Sequence, residues 1–433
     1  MNYQISKNFY DISKIPTDWK NIRLKYILSV SDSKSLNFSQ EKILSLTQKG
    51  IVERNITTNE GQIAKSYEKY ILVKQGQICM NPMDLLSGWV DISSYDGLIS
   101  PAYYTFILNK EFDNKFINYF LQSNYLRKTF FKLGKGVASH DNFGRWVLTP
   151  EELKNIFIFF PQIEEQKLIS RYLDKKTKQI DRLVLKFQKK VKLLQEQRTS
   201  LIKQYITKGL DLNVEMKDSG AKWIGDIPKH WEIKKLKYIG DQKSGDGFKL
   251  ELQGNLEGDF PFYKVSDTNI DGNEKYLSIS NNYLNKDIVD KNQVGIFPKN
   301  TIIFPKIGEV LKLNKRRIAL RECCIDNNMM GLILSSKDIP EFVYFYMTLV
   351  NFDLYCSDGT IPSISESQVG QIIYISPPIH EQKSIIETLT NKLKLQEKIV
   401  LSEKRRIQTL IEYRQTLIFS FITGKVRITE DMI

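Results

Sequence analysis

"DSGAKWIGDIPKHWEIKKLKYI", residues 218–239, lies just past the middle of a 433-residue chain, yet it reads as a beginning: a turn-rich preface, then Ile-Pro-x-x-Trp and a short run toward Leu-Lys-Tyr-Ile. A second copy gives it meaning. Residues 14–27 read "KIPTDWKNIRLKYI", so Pro16 matches Pro228, Trp19 matches Trp231 and Leu-Lys-Tyr-Ile recurs whole, all at a shift of 212. Another match lies at a shift of 216, "PQIEEQK" at 161–167 against "PPIHEQK" at 377–383. It continues without a gap through Arg198, Leu201 and Ile202, which match Arg414, Leu417 and Ile418, to "ITKG" at 206–209 and "ITGK" at 422–425. A period of a whole domain excludes a solenoid of short repeats. Each copy therefore has an Ile-Pro-x-x-Trp opening, a variable body, a Pro-x-Ile-x-Glu-Gln lead-in and a long final segment.

The final segments read as helices. Ser170, Leu173, Thr177, Ile180, Val184, Phe187, Val191, Leu194, Arg198, Leu201 and Tyr205 alternate steps of three and four, the seam of a coiled coil. The same steps in the second copy run from Ile386 to Phe421. Neither segment holds Pro or Gly from Ile163 to Lys208 or from Ile379 to Thr423, between the lead-in prolines and the closing Gly209 or Gly424, so each is expected to form one uninterrupted rod of about 60 Å. An apolar stripe that long must pair, either with the other helix of the same chain or between chains. Arg198 and Arg414, polar at equivalent seam positions, are candidates for fixing register or receiving a partner subunit.

The bodies carry strand signals instead: "YILVKQGQICMN", "YYTFILN", "QVGIFPKNTIIFPKIG" and "GLILSS", rich in β-branched and aromatic residues and broken by Gly, Asn and Asp. Short helices are expected at 115–127 and 340–349. The fold class is thus α+β, with two pseudo-repeated mixed α/β bodies separated by two long antiparallel coiled-coil helices. Boundaries fall at 1–160 (first body), 161–209 (first helix), 210–225 (linker), 226–376 (second body) and 377–433 (second helix and tail).

Composition narrows the function. Apolar residues make up 41% of the chain and aromatics 11%, enough for folded cores. Against 50 Asp and Glu stand 63 Lys and Arg, and the net charge of +13 favours a polyanionic partner. No apolar run approaches the ~20 residues of a membrane span, and the first residues lack a signal-peptide pattern, so a cytosolic, nucleoid-associated location is expected. Cys79, Cys323, Cys324 and Cys356, with His140, His230 and His380, show no metal-ligand spacing.

Catalytic motifs are missing. There is no G-x-x-x-x-G-K-[ST] phosphate cradle. "SPPI" at 376–379 resembles an amino-methyltransferase motif but has Ile379 where a stacking aromatic is needed, and no Gly-rich loop accompanies it. Acidic-x-Lys pairs such as Asp241 and Lys243 recur by chance in a Lys-rich chain. What remains is binding chemistry: basic residues interleaved with aromatics and small polar residues at 126–146, 260–269 and 312–321. The segment 162–209 adds 13 basic against 5 acidic residues.

Two "IP-x-x-W…LKYI" openings, the central "MKDSGAKWIGDIPKHWE" and the twin "P-x-I-x-EQ" lead-ins resemble the DNA-specificity subunit of type I restriction-modification systems, over essentially the whole chain. The resemblance implies that each body is a target-recognition domain reading one half of a bipartite site in double-stranded DNA. It implies that the helices set the spacing and dock two methyltransferase subunits, with restriction/translocase subunits joining the full complex. The chain itself is then non-catalytic and without a cofactor; S-adenosylmethionine, ATP and Mg belong to the partners. A stand-alone two-domain DNA binder or coiled-coil scaffold, or a nuclease with an unrecognised site, are the competing readings.

The residues expected at DNA follow from comparing the bodies. Aligning "ILVKQGQICMNPM" with "IFPKNTIIFPKIG" sets Asn81 opposite Lys306, each just after a strand-like run. Lys135, Ser139, Asn142 and Arg145 in the first body, and Ser363 and Ser365 in the second, occupy comparable places before the lead-in proline. Lys264, Ser266 and Asp267 follow a strand end, and Lys312, Arg316 and Arg317 come from the basic run.

Overall fold

Each Ile-Pro-x-x-Trp opening folds as a turn and a strand, and in both copies that strand is zipped antiparallel to the strand leading into the long helix. Lys20–Arg23 pairs with Phe157–Phe160, Lys20 opposite Phe160; Glu232–Lys235 pairs with Ile373–Ser376, Glu232 opposite Ser376. The motifs that recur at the two ends of each copy are therefore neighbours in space. This computed structural model describes residues 15–34, 41–47, 50–55, 64, 66–83, 90–134, 148–247, 249–335, 337–356 and 361–432. It divides into two compact units, one of Met1–Lys189 with Glu403–Ile433, the other Lys190–Ser402.

In the first unit a four-stranded antiparallel sheet runs in the order Leu28–Val30, Tyr104–Leu108, Ile78–Met80, Val90–Ile92. In the second the order is Gly240–Ser244, Met329–Leu334, Ile302–Pro305, Arg317–Ala319, with Tyr276–Leu277 added in parallel at the edge. The first four strands match one for one, so the bodies share a topology although little of their sequence aligns. Strand register also corrects the alignment above. Ile78 faces Phe106 and Ile302 faces Leu332, each on the second strand of its sheet, which makes Asn81 the counterpart of Pro305 and not of Lys306. A gapless comparison slips by one residue because apolar runs look alike in either register.

Helices close one face of each body. Residues 340–349 form the expected helix, Pro340–Leu349. The expected single helix at 115–127 is instead two, Asn114–Gln122 and Asn124–Leu133, because Ser123 leaves helical geometry and its hydroxyl accepts from the Leu126 N–H.

The long helices are Ile163–Lys208 and Ile379–Ile422. Within the first unit the Tyr172 and Phe421 rings stand 4.7 Å apart and Asp181 takes Arg414 Nε at 2.9 Å; within the second, Leu194 O accepts from Gln396 Nε2 at 2.8 Å and Tyr205 OH from Lys392 Nζ at 2.6 Å. Rising numbers on one helix meet falling numbers on the other in both units. Pairing is thus antiparallel and intramolecular, the alternative between chains having been left open by the sequence. Leu173, Leu417 and Phe421 join Trp19, Leu24 and Phe116 in the first core; Ile206, Leu389 and Leu393 join Trp231, Leu236 and Phe342 in the second.

The Glu-Gln of each lead-in holds the assembly of motifs together. Gln382, fully buried, donates to Asp338 Oδ1 at 2.5 Å and Pro377 O at 2.9 Å and accepts from the Ile339 N–H at 2.8 Å. Gln166 repeats two of these bonds, to Pro161 O and from the Asp113 N–H. Glu381 accepts from Trp231 Nε1 at 2.9 Å and contacts His230 at 2.7 Å. Its counterpart Glu165 lies beside Trp19 but binds Arg427, which also forks onto Asp18. Each helix then stops at a glycine with positive φ, Gly209 at +75° and Gly424 at +69°, where the backbone presses against the tryptophan of an opening motif.

Candidate nucleic-acid interface

The ends of the second unit's strands bring together residues far apart in sequence. Ser244 ends one strand, Lys306 follows Pro305 at the end of another, and Asn328 precedes the strand between them. Backbone bonds tie these ends into one edge: Lys306 N–H to Asn328 O, Asp326 N–H to Tyr263 O, Asp246 N–H to Ile325 O and Ile364 N–H to Lys306 O. Ile307 and Ser363 form an isolated antiparallel bridge. Four turns thus converge, carrying Lys243 to Asp246, Lys264, Lys306 and Ser363.

Lys306 is half-buried and its ammonium donates to Ser244 Oγ at 2.7 Å. Ser244 is itself held by its N–H on Glu366 Oε1 at 2.7 Å. No ion pair neutralises Lys306 among the described residues, which leaves ammonium protons for an incoming acceptor. The acidic groups of the edge are used internally: Asp246 Oδ2 accepts from the Gly295 N–H and Asp326 Oδ1 from Asn328. Gly245 is required, because a Cβ there would stand 2.2 Å from Ile325 O.

The other candidates scatter. Lys264 is half-buried with its ammonium on Gln253 Oε1, and Ser266 is exposed beside it. Asp267 is buried and accepts from the Lys264 N–H, so it shapes the turn; burial raises its carboxyl above the usual range. Ser365 caps the short helix Glu366–Gly370 in a capping box with Gln368. Lys312 is exposed and paired with Glu309 at 3.1 Å. Asn81 is 7% exposed and its Oδ1 accepts from the Met83 N–H, a turn contact.

Arg316 and Arg317 leave the surface altogether. Arg316 is 1% exposed, lies 3.9 Å over the Phe352 ring and donates to Val350 O at the C-terminus of the helix Pro340–Leu349. Burial pushes its guanidinium down to about 9. Arg317 donates to Arg316 O and Thr268 O, and burial lowers it as well. The sequence run "NKRRIAL" looks like a basic patch, but a strand begins at Arg317 and its inward positions take long side chains whose stems are apolar. Lys135, Ser139, Asn142 and Arg145 lie outside the described residues. On the long helices Arg414 is tied to Asp181, whereas Arg198 is exposed.

Sequence reasoning missed Ser244, Glu366 and Asn328. The glycine-rich "KSGDG" at 243–247 was the available signal for the first, since paired glycines after a strand mark close backbone approach. Glu366 and Asn328 carried none. Among the described residues no cluster could hold a metal ion, and no helix is long and apolar enough to cross a membrane.

Comparison with known proteins agrees with this architecture. Residues 228–409 match the type I restriction modification DNA specificity domain. From Methanocaldococcus jannaschii, the type I restriction enzyme MjaVIII specificity subunit is 21% identical over 99% of this chain and 98% of its own, and the MjaIX specificity subunit 24% identical over 97% and 96%. A chain from the solved structure of a type I R-M system superposes with a TM-score of 0.72 at 12% identity, covering 95% of this chain and 99% of that one. With two bodies of one topology and two long helices, the chain is similar along essentially its full length to type I restriction enzyme specificity subunits, and its second half matches their DNA specificity domain.

Proposed function

We propose that the two bodies are target-recognition domains, residues 1–160 and 226–376, each reading one half of a bipartite site in double-stranded DNA. The subunit is non-catalytic and recognises DNA sequence. The observation that carries the bipartite reading is the matched strand order of the two bodies, combined with the different sequences that follow the strand ends, such as "NPM" after Met80 and "KIGEV" after Pro305. A shared scaffold with different turns is what two readers of different half-sites require.

In the second body the reading edge comprises Lys306, Ser363, Lys264 and Ser266, with Ser244 holding Lys306 and Glu366 holding Ser244. In the first, Lys135, Ser139, Asn142 and Arg145 are the candidates. The paired helices serve as a ruler between half-sites and as the platform for two methyltransferase subunits, with Arg198 a candidate contact. Restriction/translocase subunits complete the assembly. Adenine methylation with S-adenosylmethionine and ATP- and Mg-dependent translocation reside on those partners.

Methylome sequencing of cells carrying this gene with its partner genes tests the reading. A split adenine-methylated motif with an unspecified gap is the expected result. A continuous motif, or cleavage of DNA by the purified chain alone, would overturn it.

A further inference from the structure

The two Leu-Lys-Tyr-Ile motifs agree at positions where the fold asks for nothing. Leu24, Ile27, Leu236 and Ile239 are all buried, and their identity follows from the cores they fill. Lys25, Tyr26, Lys237 and Tyr238 face solvent, Tyr26 58% and Tyr238 66% exposed. Each motif forms one turn of 3-10 helix, with the ammonium 4.8 Å from the Tyr26 ring centroid in one unit and 5.0 Å from that of Tyr238 in the other. The preceding residue is basic in both copies and is held the same way, Arg23 by Asn155 Oδ1 and Lys235 by Gln371 Oε1. Asn155 and Gln371 are themselves related by the shift of 216. Among the described residues no carboxylate pairs with Lys25 or Lys237.

Nearby surface positions have not stayed alike. Lys20 corresponds to Glu232, Asn21 to Ile233 and Asp18 to His230, so charge and polarity have drifted freely on the same strand and turn. An exposed cation over a ring contributes little to stability, which leaves a common external partner as the reason for the agreement. In a duplicated reader, base contacts must differ because the half-sites differ, while the sugar-phosphate backbone is the same in both and its contacts can remain identical. A basic side chain, an ammonium and a phenol hydroxyl are all donors to phosphate oxygens.

We infer that Arg23, Lys25 and Tyr26 in one unit, and Lys235, Lys237 and Tyr238 in the other, are two equivalent phosphate clamps, each holding the DNA backbone beside the half-site its unit reads. This rests on the bipartite reading of DNA above.

The test uses the chain assembled with its methyltransferase subunits, bound to a duplex carrying the methylated motif and to a scrambled duplex across a range of salt. Lys25→Ala and Lys237→Ala should each weaken both duplexes by the same factor and reduce the log–log salt slope by about one, and the double variant by about two. Tyr26→Phe and Tyr238→Phe should weaken both duplexes equally with the slope unchanged. Matching thermal unfolding of variant and parent keeps the reading free of folding defects, and Lys25→Glu or Lys237→Glu should enlarge the loss. Unchanged slopes in the lysine variants would overturn the inference. So would a changed ratio between the two duplexes, which marks a base contact, or loss of one bound methyltransferase copy by native mass spectrometry at constant slope, which marks a protein-docking patch. The bipartite reading fails separately, if the unaltered assembly shows no preference for the methylated duplex, because the slopes are measurable on any duplex.

Discussion

The indole Nε1 of Trp231 donates to Glu381 Oε2 at 2.9 Å, joining the two motifs that the sequence repeats some 150 residues apart. Glu381→Ala removes that bond and the His230 contact together, and should destabilise the second unit by about 1–3 kcal/mol. Hydrogen exchange of the strand Glu232–Lys235 would report it. Glu165→Ala should act on the first unit chiefly by releasing Arg427, which Glu165 holds at 3.1 Å.

Gln382→Ala should cost more than Gln166→Ala. The first deletes three buried bonds and leaves the Ile339 N–H without its acceptor, while Asp338 Oδ1 keeps the Tyr374 and Ser376 hydroxyls, about 2–3 kcal/mol; the second deletes two, about 1–2 kcal/mol. Urea unfolding followed by a probe in each unit would rank them, and the reverse order would contradict the bonding described.

Gly424→Ala should likewise exceed Gly209→Ala. Both residues have positive φ, but a Cβ on Gly424 would stand 2.4 Å from Pro16 Cδ, while on Gly209 the nearest atom is Trp231 Cζ2 at 3.1 Å. The backbone alone costs about 1 kcal/mol at either position. A larger fall in Tm for Gly424→Ala is the expected outcome of a thermal scan.

Arg316→Met should leave DNA affinity and its salt slope unchanged. The guanidinium is buried with Nε and Nη1 unbonded, so an apolar side chain of similar length should change the unfolding free energy by no more than about 1 kcal/mol. Lys306→Ala, by contrast, should weaken binding to the methylated motif.

Inserting one heptad into each long helix extends the spacer by about 10 Å, or ~3 bp of duplex. Methylome sequencing should then find the same half-sites with a wider gap.

Much was legible in the chain because duplication makes a sequence its own comparison. Pro16 with Pro228, Trp19 with Trp231 and Gln166 with Gln382 marked the fixed scaffold, and the seam from Ser170 to Tyr205 marked helices that had to pair. Arg316 and Arg317 misled, since charge in a sequence says nothing about which way a strand faces. The broken helix at Ser123 was likewise hidden, a single capping hydroxyl outweighing an otherwise continuous apolar stripe.

Periodicity and internal identity alone determined the two bodies, the long helices and the family they resemble, because burial imposes a repeating pattern that survives divergence. Only the tertiary structure decided that the helices pair within the chain, that Glu381 and Gln382 bind the opening motif and the helix start, and that Ser244, Lys306 and Ser363 share one edge. Those are contacts between residues distant in sequence, set by strand register and chain closure, and no local pattern encodes them.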